Sequence, residues 1–326
     1  MNARLSFSDR EPAPQDFRTE VLRGLTRRHK RLPAKFFYDA RGSALFEAIC
    51  QTPEYYPTRT EVAILREHAD EIARAAGPSC VLIEPGGGNL GKVRLLLEAL
   101  RPEVYLPLDI SRQHLLSAAR SLATDYPWLR VHAVCMDYSR GFDALDLSRW
   151  PEHSRRIVFF PGSTIGNFEP AEAVAFLRQT ARLAGPTGGL VIGVDLKKAP
   201  DTLHRAYNDA QGLTREFNRN LLHRINAELG ADFRTERFHH YAFYHARKGR
   251  IEMHLISHGA QTVRLDGQRL SFADGEPIHT ENSYKYTVEE FQSLAALAGY
   301  RAAACWTDRD LLYSVQYFEV AASPGP

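Results

Sequence analysis

The sequence predicts a Rossmann-like α/β fold, a doubly wound domain with a second, smaller α+β domain inserted into it. Three observations carry this expectation. Between residues 80 and 198, short apolar runs alternate with helix-period segments, as in parallel strands joined by right-handed crossovers. The first run ends in a glycine cluster that opens a helix, Gly86-Gly87-Gly88-Asn89-Leu90-Gly91. After Lys198 the texture changes to a long polar helical stretch and then to alternating aromatic and β-branched segments, an antiparallel pattern.

The first 60 or so residues read as helical or irregular. They carry a basic cluster (Arg27, Arg28, Lys30, Arg31), then Pro33 and Phe36-Phe37-Tyr38. Thr52 to Thr58 is bounded by Pro53 and Pro57. Each proline biases its predecessor away from helix, so the segment reads as a rigid loop carrying Tyr55 and Tyr56. Thr58 or Thr60 is placed to cap a following helix with apolar positions Val62, Ile64, Leu65 and Ile72. Strands are then expected at Cys80–Ile83, Val104–Asp109, Val131–Met136, Ile157–Phe160 and Leu190–Asp195, with helices between them. Beyond Lys198, a helical stretch from Asp201 to Leu229 is interrupted by Gly212, and antiparallel strands follow at 237–246, 250–258 and 261–272. A helix over Thr287–Leu297 and a final strand over Tyr313–Val320 complete the chain. Residues 61–198 with 287–326 are expected to form a cofactor domain, and 1–60 with 199–286 a substrate-binding domain.

With 326 residues, the chain is long enough for about two domains. A net charge of +2 gives no overall pull toward nucleic acid or an acidic membrane. The basic cluster near Arg27 reads as a solvated face. Four cysteines, Cys50, Cys80, Cys135 and Cys305, include no CxxC pair. Their scarcity fits a reducing cytoplasm, and Cys80 and Cys135 sit in apolar runs that suit buried thiols. No apolar leader opens the chain, and no apolar run approaches the ~20 residues of a membrane span. Thirteen histidines include no HExxH, so no metal is expected. The expectation is a cytoplasmic monomer acting on a small molecule, without nucleic acid or membrane partners.

The glycine cluster formally matches GxGxxG, and Asp109 lies at about the distance expected of a ribose-binding acid. Alone, this supports an NAD(P)-dependent oxidoreductase as readily as a protein that binds S-adenosylmethionine. The surrounding charge favours the methyl donor. Glu84 stands two residues before Gly86. A carboxylate there repels a pyrophosphate but attracts an ammonium or sulfonium. Asp109 can accept from a ribose diol. Asp137 offers an acceptor to an adenine amino group, with Tyr138 as a ring beside it. Three acids at successive strand ends line the crevice where open α/β sheets bind ligands. After the fourth strand comes Gly162-Ser163-Thr164-Ile165-Gly166-Asn167-Phe168. It lacks the Asn-Pro-Pro-Tyr type of motif with which many nucleic-acid amino-methyltransferases hold a flipped base.

Several segments, taken in order, resemble the L-histidine Nα-methyltransferases of ergothioneine biosynthesis. They are Phe36-Phe37-Tyr38-Asp39, Pro53 through Glu61, Gly162 through Asn167, Phe217-Asn218-Arg219-Asn220 and Ile251-Glu252-Met253. The resemblance runs from about residue 18 to the end, and the run from Pro53 to Glu61 is long and unusual. It implies a class I S-adenosylmethionine-dependent methyltransferase domain and conversion of histidine to its trimethyl betaine, hercynine. It also implies roles by position. Tyr38, Glu84, Gly86, Gly88, Lys92, Asp109, Asp137 and Tyr138 would hold S-adenosylmethionine. Tyr55, Asn167 and Tyr207 would hold the substrate amine and carboxylate, with Tyr55 and Asn167 the catalytic pair. Glu281 and Ser283 would grip the imidazole, and Phe46, Gly162, Thr214 and Met253 would line the pocket. One departure is the glycine loop, Glu-Pro-Gly-Gly-Gly-Asn-Leu-Gly, where the family more often has Glu-Leu-Gly-Ser-Gly.

The implied chemistry is coherent. A neutral imidazole has one N–H donor and one bare nitrogen. Glu281 can accept from the first and Ser283 can donate to the second, and their i, i+2 spacing puts both on one face of an extended chain. Other readings are a methyltransferase for another amino acid or small amine, whose apolar side chain would strand that pair, an NAD(P) oxidoreductase, and a cofactor-binding protein with a degraded active site.

Overall fold

The computed structural model describes residues 4–10, 15–88, 90–147, 150 and 154–321; Asn89 of the glycine loop lies outside them. The chain divides into two compact units. The larger comprises Met1–Pro12, Pro57–Lys197 and Tyr286–Pro326, the smaller Ala13–Tyr56 and Lys198–Lys285.

The larger unit is built on one mixed sheet. Its strands are β1 (Leu5–Arg10), β2 (Val81–Pro85), β3 (Val104–Asp109), β4 (Arg130–Met136), β5 (Arg156–Phe160) and β6 (Gly189–Asp195), joined late in the chain by β12 (Tyr300–Thr307) and β13 (Tyr313–Val320). Strands β7–β11 belong to the smaller unit. The spatial order is β1-β4-β3-β2-β5-β6-β13-β12. From β1 to β6 neighbours pair in parallel, whereas β13 runs antiparallel to β6 and β12. The interior strands β2, β3 and β5 are almost wholly buried, as expected when helices cover both faces of a parallel sheet. Leu82, Tyr105, Val131 and Phe159 pack with Leu97 and Leu115 of the crossover helices. From β2 the chain steps to β3 and β4 on one side and to β5 and β6 on the other, so the carboxyl end of β2 is the topological switch point.

Three expectations need correction. Residues 1–60 do not form one block: Leu5–Arg10 is a strand, paired with β4, of the larger unit. Thr58 and Thr60 do not stand at the N-cap position, because the helix Tyr56–Glu67 already includes them. Pro57 sits in its first turn, where a missing N–H and a fixed φ cost little. Ile72 lies in a separate helix, Ala69–Ala76.

The smaller unit holds a three-stranded antiparallel sheet, ordered β11 (Pro277–Tyr284), β8 (Arg250–Ser257), β7 (Phe238–His245), and a hairpin of β9 (Gln261–Leu265) and β10 (Gln268–Phe272). The segment 261–272, expected as one strand, is therefore two. Asp266 and Gly267 turn the chain between them with φ of 52° and 73°, the left-handed pair that a tight hairpin needs. The expected break at Gly212 separates the helices Pro200–Ala206 and Leu213–Leu229. Asp39 caps the helix Ala40–Cys50 by accepting from the Gly42 amide at 2.6 Å and ties it to Leu213–Leu229 through Asn220 Nδ2 at 2.8 Å. Among the described residues no helix is long and apolar enough to cross a membrane. All four thiols are free, and Cys80 and Cys135 are buried.

Candidate active site

At the carboxyl ends of β2, β3 and β4 the larger unit gathers Glu84, Gly86, Gly88, Asp109, Asp137 and Tyr138. Glu84 is buried in β2 and accepts a hydrogen bond from the Tyr105 phenol of β3. Burial pushes its carboxyl up to about 8, against the pull of that bond and of Lys92. The turn after β2 is pinned by Gly86 N and Gly87 N, which donate to Leu108 O at 2.7 and 3.3 Å. Asp109 closes the loop: Oδ2 accepts from Gly88 N at 3.1 Å and Oδ1 from Ser111 N at 2.8 Å. Its carboxyl is raised by burial, with these two bonds opposing. At Gly86, where φ is +72°, a Cβ would come within 2.8 Å of the Tyr138 hydroxyl; at Gly88, where φ is +55°, it would meet nothing within 4 Å among the described residues. The loop thus packs on Tyr138 at one glycine, while no described side chain crowds the other. Tyr138 is held edge-on to Phe160 at 6.2 Å. Asp137 accepts from Ser139 N at 3.0 Å and lies 3.5 Å from Arg140 Nε.

Lys92 does not stand free beside this loop. Its ammonium lies 2.5 Å from Glu61 Oε2. Glu61 is buried and also accepts from Gly162 N at 2.8 and 3.0 Å. A helix, the glycine loop and the turn after β5 are thereby locked together by one carboxylate. Glu61 was not singled out from sequence, although it ends the distinctive run from Pro53. Asn167 is half-buried at the end of the 3-10 turn Thr164–Asn167 that follows Gly162.

The other expected site residues lie in the smaller unit, Tyr38 among them. An aromatic chain links them: Tyr38 to Phe46 at 5.7 Å, Phe46 to Tyr55 at 6.0 Å, and Tyr55 to Tyr207 at 6.2 Å between ring centroids. Burial, then the neighbouring Tyr207, raises the Tyr55 pKa well above the usual phenol value, so Tyr55 keeps its proton. Across the sheet, Met253 of β8 pairs directly with Glu281 of β11, and Ile251 with Ser283. Glu281 is pushed up to about 7 by burial, with the Lys285 ammonium pulling the other way. Ser283 Oγ lies 2.8 Å from both the Tyr207 hydroxyl and Lys285 Nζ. Lys285 is a second residue that sequence reasoning passed over, because nothing in the chain marks this lysine as buried. Thr214 is buried in the first turn of Leu213–Leu229, its amide donating to Asp209 at 2.7 Å.

Among the described residues, Glu252, His254 and His279 form a group whose potential ligand atoms lie within 4.8 Å of one another. Spacing in the sequence gives no sign of it, because His279 arrives from β11 opposite His254. The Arg250 guanidinium grips Glu252 Oε1 at 2.5 and 2.8 Å, and the two imidazoles stack with centroids 4.9 Å apart and planes 27° from parallel. Nearly parallel rings do not aim their lone pairs at one point, and burial pushes both imidazoles toward the neutral form, so this arrangement reads as two stacked neutral rings beside the Arg250–Glu252 ion pair.

A family model described as histidine-specific, S-adenosylmethionine-dependent methyltransferase matches residues 17–320. The histidine N-alpha-methyltransferase of Mycolicibacterium smegmatis is 42% identical over 304 residues, covering 91% of this chain and 93% of that protein. Its namesake from Mycobacterium tuberculosis is 39% identical over 297 residues, covering 89% and 91%. Ergothioneine biosynthesis protein 1 of Neurospora crassa is 34% identical over 300 residues, covering 85% of this chain and 32% of that protein. The chain therefore belongs to the S-adenosylmethionine-dependent, histidine-specific methyltransferase family.

Proposed function

We propose that this protein methylates the α-amino nitrogen of free L-histidine three times in succession, giving hercynine, as a cytoplasmic monomer. The observation that carries the substrate is the pairing of Glu281 and Ser283, an acceptor and a hydroxyl two residues apart on β11 with Met253 opposite. A neutral imidazole satisfies both; a phenyl or indole group leaves at least one buried polar group unpaired, at a cost of ~1–3 kcal/mol.

The residues at the strand ends of the larger unit fit a methyl donor that carries an ammonium, a ribose and an adenine. Glu84 suits the ammonium, Asp109 the ribose diol and Asp137 the adenine amino group, with Tyr138 as a packing ring; Tyr38, in the smaller unit, is assigned to the same methyl donor by the resemblance. Gly86 and Gly88 keep the loop tight and leave room beside it. Lys92, through Glu61, fixes the loop against Gly162. When bound, S-adenosylmethionine supplies a methyl group on a sulfonium. This chain's residues then have to orient a neutral amine and keep water away. In the smaller unit Tyr55 holds the amine through a hydrogen bond and Tyr207 the carboxylate, with Phe46, Thr214 and Met253 assigned to the substrate; in the larger unit Asn167 is assigned to the amine and Gly162 to the pocket lining. No strong base is needed, because the amine loses its proton to solvent between rounds. The faces of Tyr55 and its neighbours tolerate the growing cation, which lets one site serve three transfers. The reading uses no metal.

Incubating the purified protein with S-adenosylmethionine and each of the twenty amino acids, followed by mass spectrometry, tests this. A gain of three methyl groups on histidine alone is expected. Methylation of a different amino acid would overturn the assignment of Glu281 and Ser283, and a product that stops at one methyl would overturn the succession.

A further inference from the structure

We infer that Lys285 is a specificity-determining residue: its ammonium commits the Ser283 hydroxyl to donating, so that the site selects a substrate ring with a bare nitrogen. This rests on the reading of Ser283 as a partner of the substrate imidazole.

Lys285 follows β11 directly and is 2% exposed. Its Nζ donates to Ser283 Oγ at 2.8 Å and to the Tyr207 hydroxyl at 3.1 Å, and the Tyr207 hydroxyl donates to Ser283 Oγ at 2.8 Å. All three groups lie in the smaller unit. An ammonium has three donors and no acceptor, and a serine hydroxyl has one donor and two acceptor sites. A phenol oxygen, one of whose lone pairs is delocalised into the ring, accepts one good hydrogen bond; Lys285 fills it at 3.1 Å, which leaves the Tyr207 O–H to donate to Ser283. In this triangle Ser283 receives two hydrogen bonds, so both its acceptor sites are filled and only its O–H remains. Without the ammonium, Ser283 and Tyr207 could pair in either sense and Ser283 would keep a free acceptor site. It could then serve a ring N–H as well as a bare nitrogen.

Burying an ammonium is costly unless it is well hydrogen-bonded. The return proposed here is recognition. Glu281 on the same strand takes the ring N–H, and Ser283, held as a donor, takes the opposite nitrogen. A doubly protonated imidazolium or a ring without an acceptor then fails at Ser283. Lys285 touches Ser283 and Tyr207, not the reacting atoms, so it is a positioning residue rather than a catalytic one.

The test uses the full chain with S-adenosylhomocysteine or S-adenosylmethionine as needed. Lys285→Met removes the donors at similar volume; Lys285→Gln keeps an N–H donor and loses the charge. The methionine variant is expected to raise KM for histidine about tenfold or more with a smaller change in kcat. The inhibition constant of 3-(2-thienyl)alanine, whose ring has no acceptor nitrogen, is expected to stay unchanged. The glutamine variant is expected to recover most of the histidine KM. An unchanged histidine KM in Lys285→Met, or equal losses for histidine and the thienyl analogue, would overturn the inference. A measurement on the unmodified protein guards against variants that do not fold. Ring-15N-labelled histidine bound beside S-adenosylhomocysteine should show one protonated and one bare, hydrogen-bonded nitrogen. Two protonated nitrogens would sink the inference. Failure of the unmodified protein to methylate histidine at all would instead reject the substrate reading on which it rests.

Discussion

Glu281 and Glu84 are both carboxyls held away from water, and burial pushes them up to about 7 and about 8. Each does the work assigned to it better when charged. A carboxylate accepts a ring N–H more strongly than a carboxylic acid does, so KM for histidine should fall as pH rises through about 7. Glu281→Gln should raise KM and flatten that limb, which steady-state kinetics across pH would read; a limb that survives in the variant would assign it to another group. Glu84 gains from a bound ammonium, so S-adenosylmethionine binding should tighten as pH rises toward about 8, with release of a proton that calorimetry in two buffers detects. The same shift has a consequence for stability. The folded pKa lies above the unfolded value of about 4.3, so the contribution of Glu84 is fully present below that value. It is lost as pH rises through about 8. The melting temperature of Glu84→Gln should therefore fall less than that of the unmodified protein over this window. These two acids stand out in the sequence as candidate site residues, but their burial and protonation do not, because desolvation depends on what packs around them. Lys285 and Glu61 were invisible for the same reason. A lone lysine or glutamate reads as surface until tertiary packing buries it.

The glycine loop between β2 and the helix Arg94–Leu100 separates two jobs that sequence cannot tell apart. Gly86 is needed by the protein itself, since a Cβ there meets the Tyr138 hydroxyl at 2.8 Å; a Cβ at Gly88 meets nothing within 4 Å among the described residues. Gly86→Ala should lower both melting temperature and S-adenosylmethionine affinity. Gly88→Ala should cost the fold only the ~1 kcal/mol of a left-handed alanine while weakening the methyl donor at least tenfold, as isothermal titration would show. Equal effects at both positions would mean that the space beside Gly88 is not ligand space. Among strands, the interior ones announced themselves as apolar runs because both faces are covered. In the larger sheet the missed ones, β1 and β12, lie at the two edges and leave many residues partly or fully exposed; Leu5–Arg10 is half polar and Tyr300–Thr307 is built largely on alanines, so neither shows a run of large apolar residues. The β9–β10 hairpin is legible in the sequence after all: Asp266-Gly267 between two alternating runs is a hairpin turn signal, and the expectation of a single strand over 261–272 overlooks it.

Neither unit is continuous in sequence. The smaller one is made of Ala13–Tyr56 and Lys198–Lys285, which meet where Asn220 bonds Asp39 and Phe37 stacks on Phe217 at 4.4 Å. The change of texture near Lys198 was legible because hydrophobic period switches there from the strand–helix alternation to the antiparallel pattern. What period cannot reveal is a short segment that leaves its sequence neighbours for a distant sheet, as Leu5–Arg10 does. That strand covers the outer edge of β4 from Leu5↔Val131 to Arg10↔Met136, and its Ser6 and Ser8 hydroxyls lie 2.6 and 3.1 Å from the His132 ring. The family match begins only at residue 17. A chain trimmed to that match would uncover a row of backbone N–H and C=O groups beside Val131, Ala133 and Cys135, the kind of open edge on which a second molecule can add. Such a shortened protein should self-associate in a concentration-dependent way that light scattering detects, whereas persistent monodispersity would mean that β4 is shielded without its outermost strand.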